Sequence, residues 1–288
     1  MSKLISARLI AILVGLGFVV VVISAFIGGV YTVATEGMGE ETAEHAFHKY
    51  PEEHDFAFTG PFGRWDVAQL QRGLTVYEQV CSACHSLKYV AFRNLEGLGY
   101  DEAQIKAYAA SQTVPGIDPR TGEQTTRPGL PTDYFPSPYP NAVAAAAANN
   151  NAIPPDLSLI TKARHDGVNY VASLLAGYQN PPAELLEEYP DFTIPPGLYY
   201  NPYFPNLNLA MAPPLTATGQ VTYDDGTEAT IQQMSEDVAA FLAWTAEPTM
   251  VERKQTGWPV LLFLVFATVL AYMSKNQIWA AVKPKNRD

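Results

Sequence analysis

Two long stretches without a charged residue lie near the ends of the chain and limit its fold more than any other feature. The first runs from Leu9 to Thr35 and the second from Gln255 to Ser274. At a rise of about 1.5 Å per residue, either stretch can cross a hydrocarbon layer of roughly 30 Å as a helix. The sequence therefore predicts one or two membrane helices, with the residues between them on one side of the membrane.

Each stretch has a competing interpretation. The N-terminal one also fits a cleaved secretory signal, because Lys3 and Arg8 precede it and Ile23-Ser24-Ala25 is an acceptable cleavage site. The uncharged run is longer than a signal requires, so we expect this span to be retained. The C-terminal stretch could be a buried core helix, but the basic tail after it offers no domain to cover it.

Basic residues beside the two stretches predict the orientation. Lys3 and Arg8 precede the first, and the tail after the second carries Lys275, Lys283, Lys285 and Arg287 against Asp288. Lysine and arginine favour the cytoplasmic side, so we expect both termini there if the first span is retained. Three segments result: 1–35 is a span or signal-anchor, 36–251 is a periplasmic domain, and 252–288 is an anchor with a cytoplasmic tail.

The middle segment is strongly acidic. Residues 36–251 contain 10 Lys/Arg and 27 Asp/Glu, a formal charge of −17. A field of this sign excludes nucleic acid as a partner and favours a basic protein. The same charge would also keep the domain soluble, so it does not identify a partner by itself.

The middle segment also carries Cys81-Ser82-Ala83-Cys84-His85, the C-x-x-C-H pattern of c-type haem attachment. Each thiol can add to a haem vinyl group as a thioether, and the histidine can offer a ring nitrogen to the iron. Residues three and four apart share one face of a helix, so the spacing fits this chemistry. Cys81 and Cys84 are the two cysteines of the sequence. The pattern predicts one covalently attached haem c.

The residues before the motif predict a helix near 65–85, with Asp66 as its N-cap or first-turn acid. Apolar residues recur there at intervals of three and four: Val67, Leu70, Leu74, Tyr77, Cys81 and Cys84. A thioredoxin-like pair would instead need a helix beginning at the first cysteine. A zinc site would need two more ligands, and His45, His48, His54 and His165 offer no matching pair.

The second axial position on the iron could be filled by a methionine, because a thioether favours Fe(II) and excludes other ligands. The candidates outside the spans are Met38, Met211, Met234 and Met250. Met234 falls in a helical apolar pattern that favours core packing, while Met38 and Met250 adjoin the spans. Met211 lies in a proline-rich, non-helical segment that could hold a ligand, although a gap-filling core methionine is equally consistent.

Other stretches of the chain carry a family resemblance. They are Gln71-Arg72-Gly73 before the motif, Ile153-Pro154-Pro155-Asp156-Leu157-Ser158, Lys162-Ala163-Arg164-His165, Gly197-Leu198-Tyr199-Tyr200-Asn201-Pro202-Tyr203-Phe204-Pro205, Met211-Ala212-Pro213-Pro214, Glu236-Asp237-Val238 and Ala246-Glu247-Pro248. From about Pro61 to the C-terminus the chain resembles the cytochrome c1 family, the haem subunits of the ubiquinol–cytochrome c oxidoreductase (cytochrome bc1) complex. C-x-x-C-H is common to c-type cytochromes, whereas this ordered series is specific.

The resemblance implies a site. It makes His85 and Met211 the axial ligands of the iron and assigns Arg164 and Tyr170 to the haem propionates. Chemically, arginine offers a two-pronged charged donor to a carboxylate and tyrosine adds a hydroxyl. Asn149, Pro154 and Pro155 stand where the family has walls of the haem pocket. These roles are implied by the family and not by spacing alone.

The resemblance also implies a function and partners. The chain would relay single electrons from the Rieske iron–sulfur protein to a soluble basic cytochrome c, as a carrier within an oxidoreductase that also contains cytochrome b. The complex would be dimeric and embedded in the lipid of a bacterial inner membrane. Alternatives are the haem subunit of an oxidase or nitric oxide reductase, or an anchored haem sensor or peroxidase with an open iron position.

Two regions depart from the family pattern. The family usually has a cleaved leader where this chain has a possible permanent span, and residues 180–196 form a longer acidic segment without the cysteines of some bacterial members. The alanine-rich run from Asn141 to Asn151 predicts a surface loop or a short helix. With further helices near 101–111, 167–178 and 229–246, we expect a mainly α haem domain with long proline-rich connections.

Overall fold

The structure is a computed structural model that describes residues 2–36 and 41–282. The chain divides into two compact units, Met1–Ala46 and Phe47–Asp288. Helix α1 spans Ser2–Glu36 in the first unit, and α2 begins at Ala43 and ends at Phe47, the first residue of the second unit. Residues Ala7–Thr35 of α1 are long and apolar enough to cross a membrane. Met38 and the tail from Lys283 onward lie outside the described residues.

The second unit contains helices and two short antiparallel strand pairs. Its helices are α3 (Val67–Val76), α4 (Glu102–Ser111), α5 (Ala142–Ala148), α6 (Gly167–Ala176), α7 (Ala183–Glu188), α8 (Ile231–Ala246) and α9 (Met250–Ala280). A π-helical turn at Tyr77–Cys81 continues α3, and a 3-10 helix covers Phe92–Leu98. Strands β1 (Thr113–Ile117) and β2 (Gln124–Pro128) form a hairpin, and β3 (Tyr199–Tyr200) pairs with β4 (Asn208–Leu209). The predicted mainly α class is confirmed.

Helix α8 is the centre of the core, because it packs against both α3 and α6. Its middle is fully buried, including Val238 and Phe241. Helix α3 approaches closely at Gly73, where an added Cβ would lie 2.1 Å from the carbonyl oxygen of Asp237. Only glycine permits that approach, which explains why Gln71-Arg72-Gly73 and Glu236-Asp237-Val238 belong to one structural unit. Met234 is fully buried there, so the interpretation of this residue as core is confirmed.

The helix predicted near 65–85 begins as expected and ends early. The Asp66 carboxylate accepts a hydrogen bond from the Gln69 N–H at 3.2 Å, as an N-cap does. At the other end, the Ser82 N–H donates to the Tyr77 carbonyl at 2.8 Å, a five-residue step that widens the last turn. Cys84 and His85 therefore follow the helix in a turn, and the prediction of helix as far as 85 was wrong.

The other predicted helices are close to those found. Those expected near 101–111, 167–178 and 229–246 correspond to α4, α6 and α8, and the alanine-rich run forms the short helix α5. Helix α7 and the β1–β2 hairpin were not predicted. Helix α9 is 31 residues long and has no buried residue, and it is the second helix suited to crossing a membrane.

Candidate haem site

The two thiols sit at the end of the π-helical turn and in the turn after it. Both are free and half-buried, and the His85 N–H donates to the Cys81 carbonyl at 2.9 Å, which keeps cysteine and histidine one helical turn apart. Burial, with a smaller effect of the Cys84 sulfur, raises the pKa of the Cys81 thiol to about 12. A thioredoxin-like pair has the opposite arrangement, with a lowered pKa at a helix N-terminus.

His85 is held in one tautomer. Its Nδ1 lies 2.7 Å from the Pro155 carbonyl oxygen, which can only accept, so Nδ1 carries the proton and donates. Nε2 is then a free lone pair, and it has no hydrogen-bond partner among residues 2–36 and 41–282. Burial lowers the pKa of His85 and outweighs the opposing effect of the Pro155 bond. A neutral imidazole with an open Nε2 is the form that binds iron.

Residues 154–158, which we call the strap, form hydrogen bonds with Ser86 and Lys88 in the turn that follows the motif. The Asp156 carboxylate accepts from the Ser86 hydroxyl at 2.7 Å and from the Lys88 N–H at 2.9 Å. Burial would raise the pKa of Asp156, but these bonds and those from Ser158 outweigh it and lower the pKa. The Leu157 N–H also donates to the Ser86 carbonyl at 2.9 Å. The strap thus fixes the acceptor of His85 in place.

Aromatic hydroxyls complete the surroundings of the motif. The Tyr77 hydroxyl donates to the His85 carbonyl at 2.9 Å, and the Tyr139 hydroxyl lies 3.8 Å from the Cys84 sulfur. Sequence reasoning gave Tyr77 only a place in the apolar stripe and gave Tyr139 and Asp156 no role. Asp156 could have been noticed because it stands beside the two prolines, whereas Tyr139 had no signal in the sequence.

Met211 lies in irregular chain just after β4, as its proline-rich surroundings predicted. The Tyr178 hydroxyl donates to the Met211 carbonyl at 2.9 Å and so fixes the backbone that carries the thioether. The half-buried Met211 side chain packs against the same core as Cys81 and Tyr170. The structure therefore places these three candidate residues around one apolar core.

Arg164 and Tyr170 lie side by side. Burial raises the pKa of the Tyr170 hydroxyl, and the positive charge of the nearby Arg164 guanidinium partly offsets that rise. Arg164 is exposed and its Nη1 also donates to the Ala163 carbonyl at 3.1 Å. Two donors held together in this way match the pair that a propionate carboxylate needs.

The three pocket-wall candidates have different surroundings. Pro155 contributes its carbonyl to His85, and Pro154 precedes it in the strap. The Asn149 side-chain amide donates to the Ala145 carbonyl of α5 at 2.7 Å, and no hydrogen bond within the described residues joins it to the motif. The donor set as a whole fits one c-type haem: two free thiols, a neutral imidazole with an open nitrogen, and a thioether on the same core.

The protein family and three relatives that match this sequence are all cytochromes c1 or contain one in their names. The sequence profile of the Cytochrome C1 family matches residues 56–282. Cytochrome c1 of Rhodospirillum rubrum is 47% identical over 238 residues, covering 80% of this chain and 87% of the relative. Cytochrome c1-2, heme protein, mitochondrial, of Solanum tuberosum is 43% identical over 265 residues, covering 91% of this chain and 97% of the relative.

A third relative is a longer protein. Cytochrome b/c1 of Bradyrhizobium diazoefficiens is 45% identical over 252 residues, which cover 80% of this chain but 36% of the relative. The chain therefore spans about a third of the length of that protein. The match covers every candidate site residue, since all of them fall between 56 and 282.

Proposed function

The chain belongs to the cytochrome c1 family, the haem-bearing electron-transfer subunits of the bc1 complex, and we propose that it relays single electrons from a Rieske iron–sulfur protein to a soluble cytochrome c. The observation that carries this proposal is the pairing of two free thiols with a neutral His85 whose Nδ1–H is bound to the Pro155 carbonyl. A haem c held there would supply one-electron redox chemistry.

The residues of the chain have distinct roles in this proposal. Cys81 and Cys84 would form the thioethers, and His85 would offer Nε2 to the iron, while the Pro155 carbonyl of the strap keeps the His85 ring from rotating. Met211 offers its thioether from the segment that Tyr178 fixes. A thioether donor from Met211 would favour Fe(II) and would exclude other ligands, which favours a carrier over a peroxidase or sensor.

Arg164 and Tyr170 are proposed to bind the propionates. The Arg164 guanidinium can donate two parallel hydrogen bonds to a carboxylate. The Tyr170 hydroxyl stands next to the Arg164 guanidinium and would add a third donor. Asn149, Pro154 and Pro155 would border the same pocket. Of these, Pro155 is supported most directly, because its carbonyl already contacts His85.

The proposed setting is a bacterial inner membrane. The two apolar helices are compatible with membrane anchoring, and we propose that the haem domain lies in the periplasm with both termini in the cytoplasm. Cytochrome b and the Rieske protein would share a dimeric complex with this chain. The complex as a whole, and not this chain alone, would carry the ubiquinol–cytochrome c oxidoreductase activity.

The test of the site compares two methionines. Met211→Leu should retain covalent haem, lower the midpoint potential and lose the Met–Fe(III) charge-transfer band, because the open position no longer favours Fe(II). Met234→Leu is the matched control, because Met234 is fully buried beside α3 and should leave potential and band unchanged. If Met211→Leu keeps the wild-type potential and band, another residue is the ligand.

The proposed electron acceptor, a basic soluble cytochrome c, is tested by the ionic-strength dependence of electron transfer. The −17 formal charge of residues 36–251 should steer a basic cytochrome c, and with a Debye length of roughly 8–10 Å the second-order rate of electron transfer should fall as ionic strength rises. Neutralising the acids of residues 180–196 would show whether that segment takes part: Glu184, Glu187, Glu188 and Asp191. A wild-type rate that does not change with salt would refute steering.

A further inference from the structure

Residues 58–65, which we call the aromatic loop, are fastened to the first turns of α9. The Lys254 ammonium donates to the Phe58 carbonyl at 2.9 Å and to the Gly60 carbonyl at 2.7 Å. Farther along, the Phe62 ring stacks on the Trp258 ring, with centroids 5.5 Å apart and planes inclined by 19°. Loop and helix therefore form one unit.

The loop is built so that Phe62 points away from the core. Its two ends are anchored because Phe58 is buried and Trp65 packs on it at a ring distance of 4.6 Å. The turn is tight, since a Cβ at Gly63 would lie 2.2 Å from the Phe58 carbonyl oxygen. Phe62 is nonetheless 78% exposed and Trp258 42% exposed. An apolar stack held outward by a rigid turn is suited to contact with something other than water.

The side chains beside this stack are cationic. A shallow cleft between loop and helix is lined by Pro61, Phe62, Gly63, Arg64, Lys254, Gln255 and Trp258, which include two cations and no acid. Asp66 and Glu252 are close in sequence, but neither lines the cleft. This positive charge contrasts with the formal charge of −17 on residues 36–251. The cleft is thus complementary to an anion that also has an apolar part.

The position along α9 indicates what that anion is. Lys254 is the last charged residue before the uncharged run Gln255–Ser274, and Trp258 lies just inside that run. This is the depth at which a membrane helix passes from water to hydrocarbon, where tryptophan and basic residues collect. The rings and the two cations would therefore meet lipid glycerol and phosphate groups at the periplasmic surface.

We propose that the aromatic loop and the start of α9 bind the headgroup of an anionic phospholipid, an inference that rests on the membrane anchoring in the proposed function. Arg64 is exposed, has no side-chain hydrogen bond within the described residues, and can hold a phosphate through two parallel N–H groups. The Lys254 ammonium donates two of its three N–H groups to the Phe58 and Gly60 carbonyls, and the third N–H can donate to a phosphate oxygen. Phe62 and Trp258 enter the interface beside the glycerol backbone.

The test uses the full haem-loaded chain in nanodiscs of phosphatidylcholine with a minor fraction of phosphatidylglycerol. After detergent extraction, native mass spectrometry counts the lipids retained on the protein. The wild type should retain phosphatidylglycerol in preference to phosphatidylcholine. Arg64→Gln should lower phosphatidylglycerol retention by about fivefold, the effect of one cation near an anionic surface. Arg120→Gln, the same charge change on the exposed β1–β2 turn, should have no effect.

A second pair of variants tests the aromatic part. Phe62→Ser should reduce retention of both lipids, because it removes the apolar contact and not the charge. Ile117→Ser is its control, since Ile117 is 71% exposed on the hairpin. Equal retention by Arg64→Gln and Arg120→Gln would refute the proposal, and so would displacement of the lipid by free glycerol phosphate.

The intact complex distinguishes lipid from a protein neighbour. If a neighbouring subunit covers the loop, the complex should lack the bound phosphatidylglycerol and Arg64→Gln should weaken retention of the chain in the complex, an outcome that overturns the lipid assignment. Retention of the lipid in the complex supports it. Covalent haem and electron transfer to cytochrome c are measured on the same samples. Loss of lipid selectivity with normal electron transfer would refute only the lipid site. Loss of haem or of electron transfer with normal lipid retention would refute only the proposed function.

Discussion

The α3–α8 interface and the motif turn are held together by different forces. The interface is two helices in close contact, with apolar side chains buried along both and one buried ion pair between Arg72 and Asp237. The turn at Ser82–Tyr89 fully buries the Leu87 side chain and is held by hydrogen bonds to the strap about 70 residues away, two of them accepted by Asp156. Apolar packing holds the two helices together, whereas directed hydrogen bonds orient the His85 ring.

The largest effect is expected at the interface. The Asp237 carboxylate is fully buried and accepts from Arg72 Nε at 2.9 Å and Nη2 at 3.2 Å. Asp237→Ala leaves the Arg72 charge without its buried partner, so we expect unfolding free energy to fall by about 3–5 kcal/mol. Denaturant unfolding of the haem-loaded chain in detergent, followed by circular dichroism, measures this loss.

The control for that prediction removes both charges. Arg72→Met with Asp237→Leu replaces the pair by apolar groups of similar size, and stability should return close to the wild type. If the single and double variants lose the same amount, the interface depends on side-chain shape and not on the ion pair. If Asp237→Ala lowers the unfolding free energy by less than about 1 kcal/mol, the Arg72–Asp237 pair contributes no more to stability than an exposed ion pair does.

The middle effect is expected at the strap. Asp156→Ala removes the acceptor of the partly buried Ser86 hydroxyl and of the exposed Lys88 N–H, and a buried donor left without an acceptor costs about 1–3 kcal/mol. Asp118→Ala is the control: the Asp118 carboxylate accepts from the Arg120 N–H at 2.8 Å in the β1–β2 turn, where water can replace the lost acceptor, so this change should cost less.

The strap variant should also change the site. Loosening the strap frees the Pro155 carbonyl, so the His85 ring is less well oriented and the haem spectrum should shift in addition to the loss of stability. The same spectrum in Asp237→Ala, recorded where that variant is folded, should match the wild type. A spectral change in Asp237→Ala but not in Asp156→Ala would mean that the α3–α8 interface, and not the strap, orients the His85 ring.

The contrast also explains what the sequence could predict. Helices α3 and α8 bury one face each, so their apolar residues recur at helical spacing and both were predicted, with Met234 among their core residues. The motif could be recognised in the sequence because its chemistry requires two cysteines and a histidine at fixed spacing. The π-helical turn was not, since the hydrogen-bond step of Ser82 to Tyr77 leaves no pattern in residue type.

The strap shows a second limit. Pro155 acts on His85 through a main-chain carbonyl, which every residue has, so no side-chain pattern could reveal that contact. The family resemblance suggested a pocket wall at this position, and the structure adds a hydrogen bond. Tyr178 is similar, because it reaches Met211 through the Met211 carbonyl from 33 residues away. Contacts of this kind depend on the folded backbone.

The smallest effect is expected at the exposed end of the same ion-pair network, where Asp225 accepts from the Thr227 N–H at 2.9 Å and from Arg72 at 2.8 Å. These bonds, the Thr227 one first, lower the pKa of Asp225 to about 2. A depressed pKa stabilises the fold above the unfolded value of about 3.9 and loses that contribution as pH falls toward 2. Asp225→Asn should therefore lower the thermal midpoint slightly at pH 7, and the difference from wild type should vanish between about pH 4 and pH 2. Paired melts across this range check it, and a difference that stays constant with pH would mean that the carboxylate acts by shape and not by charge.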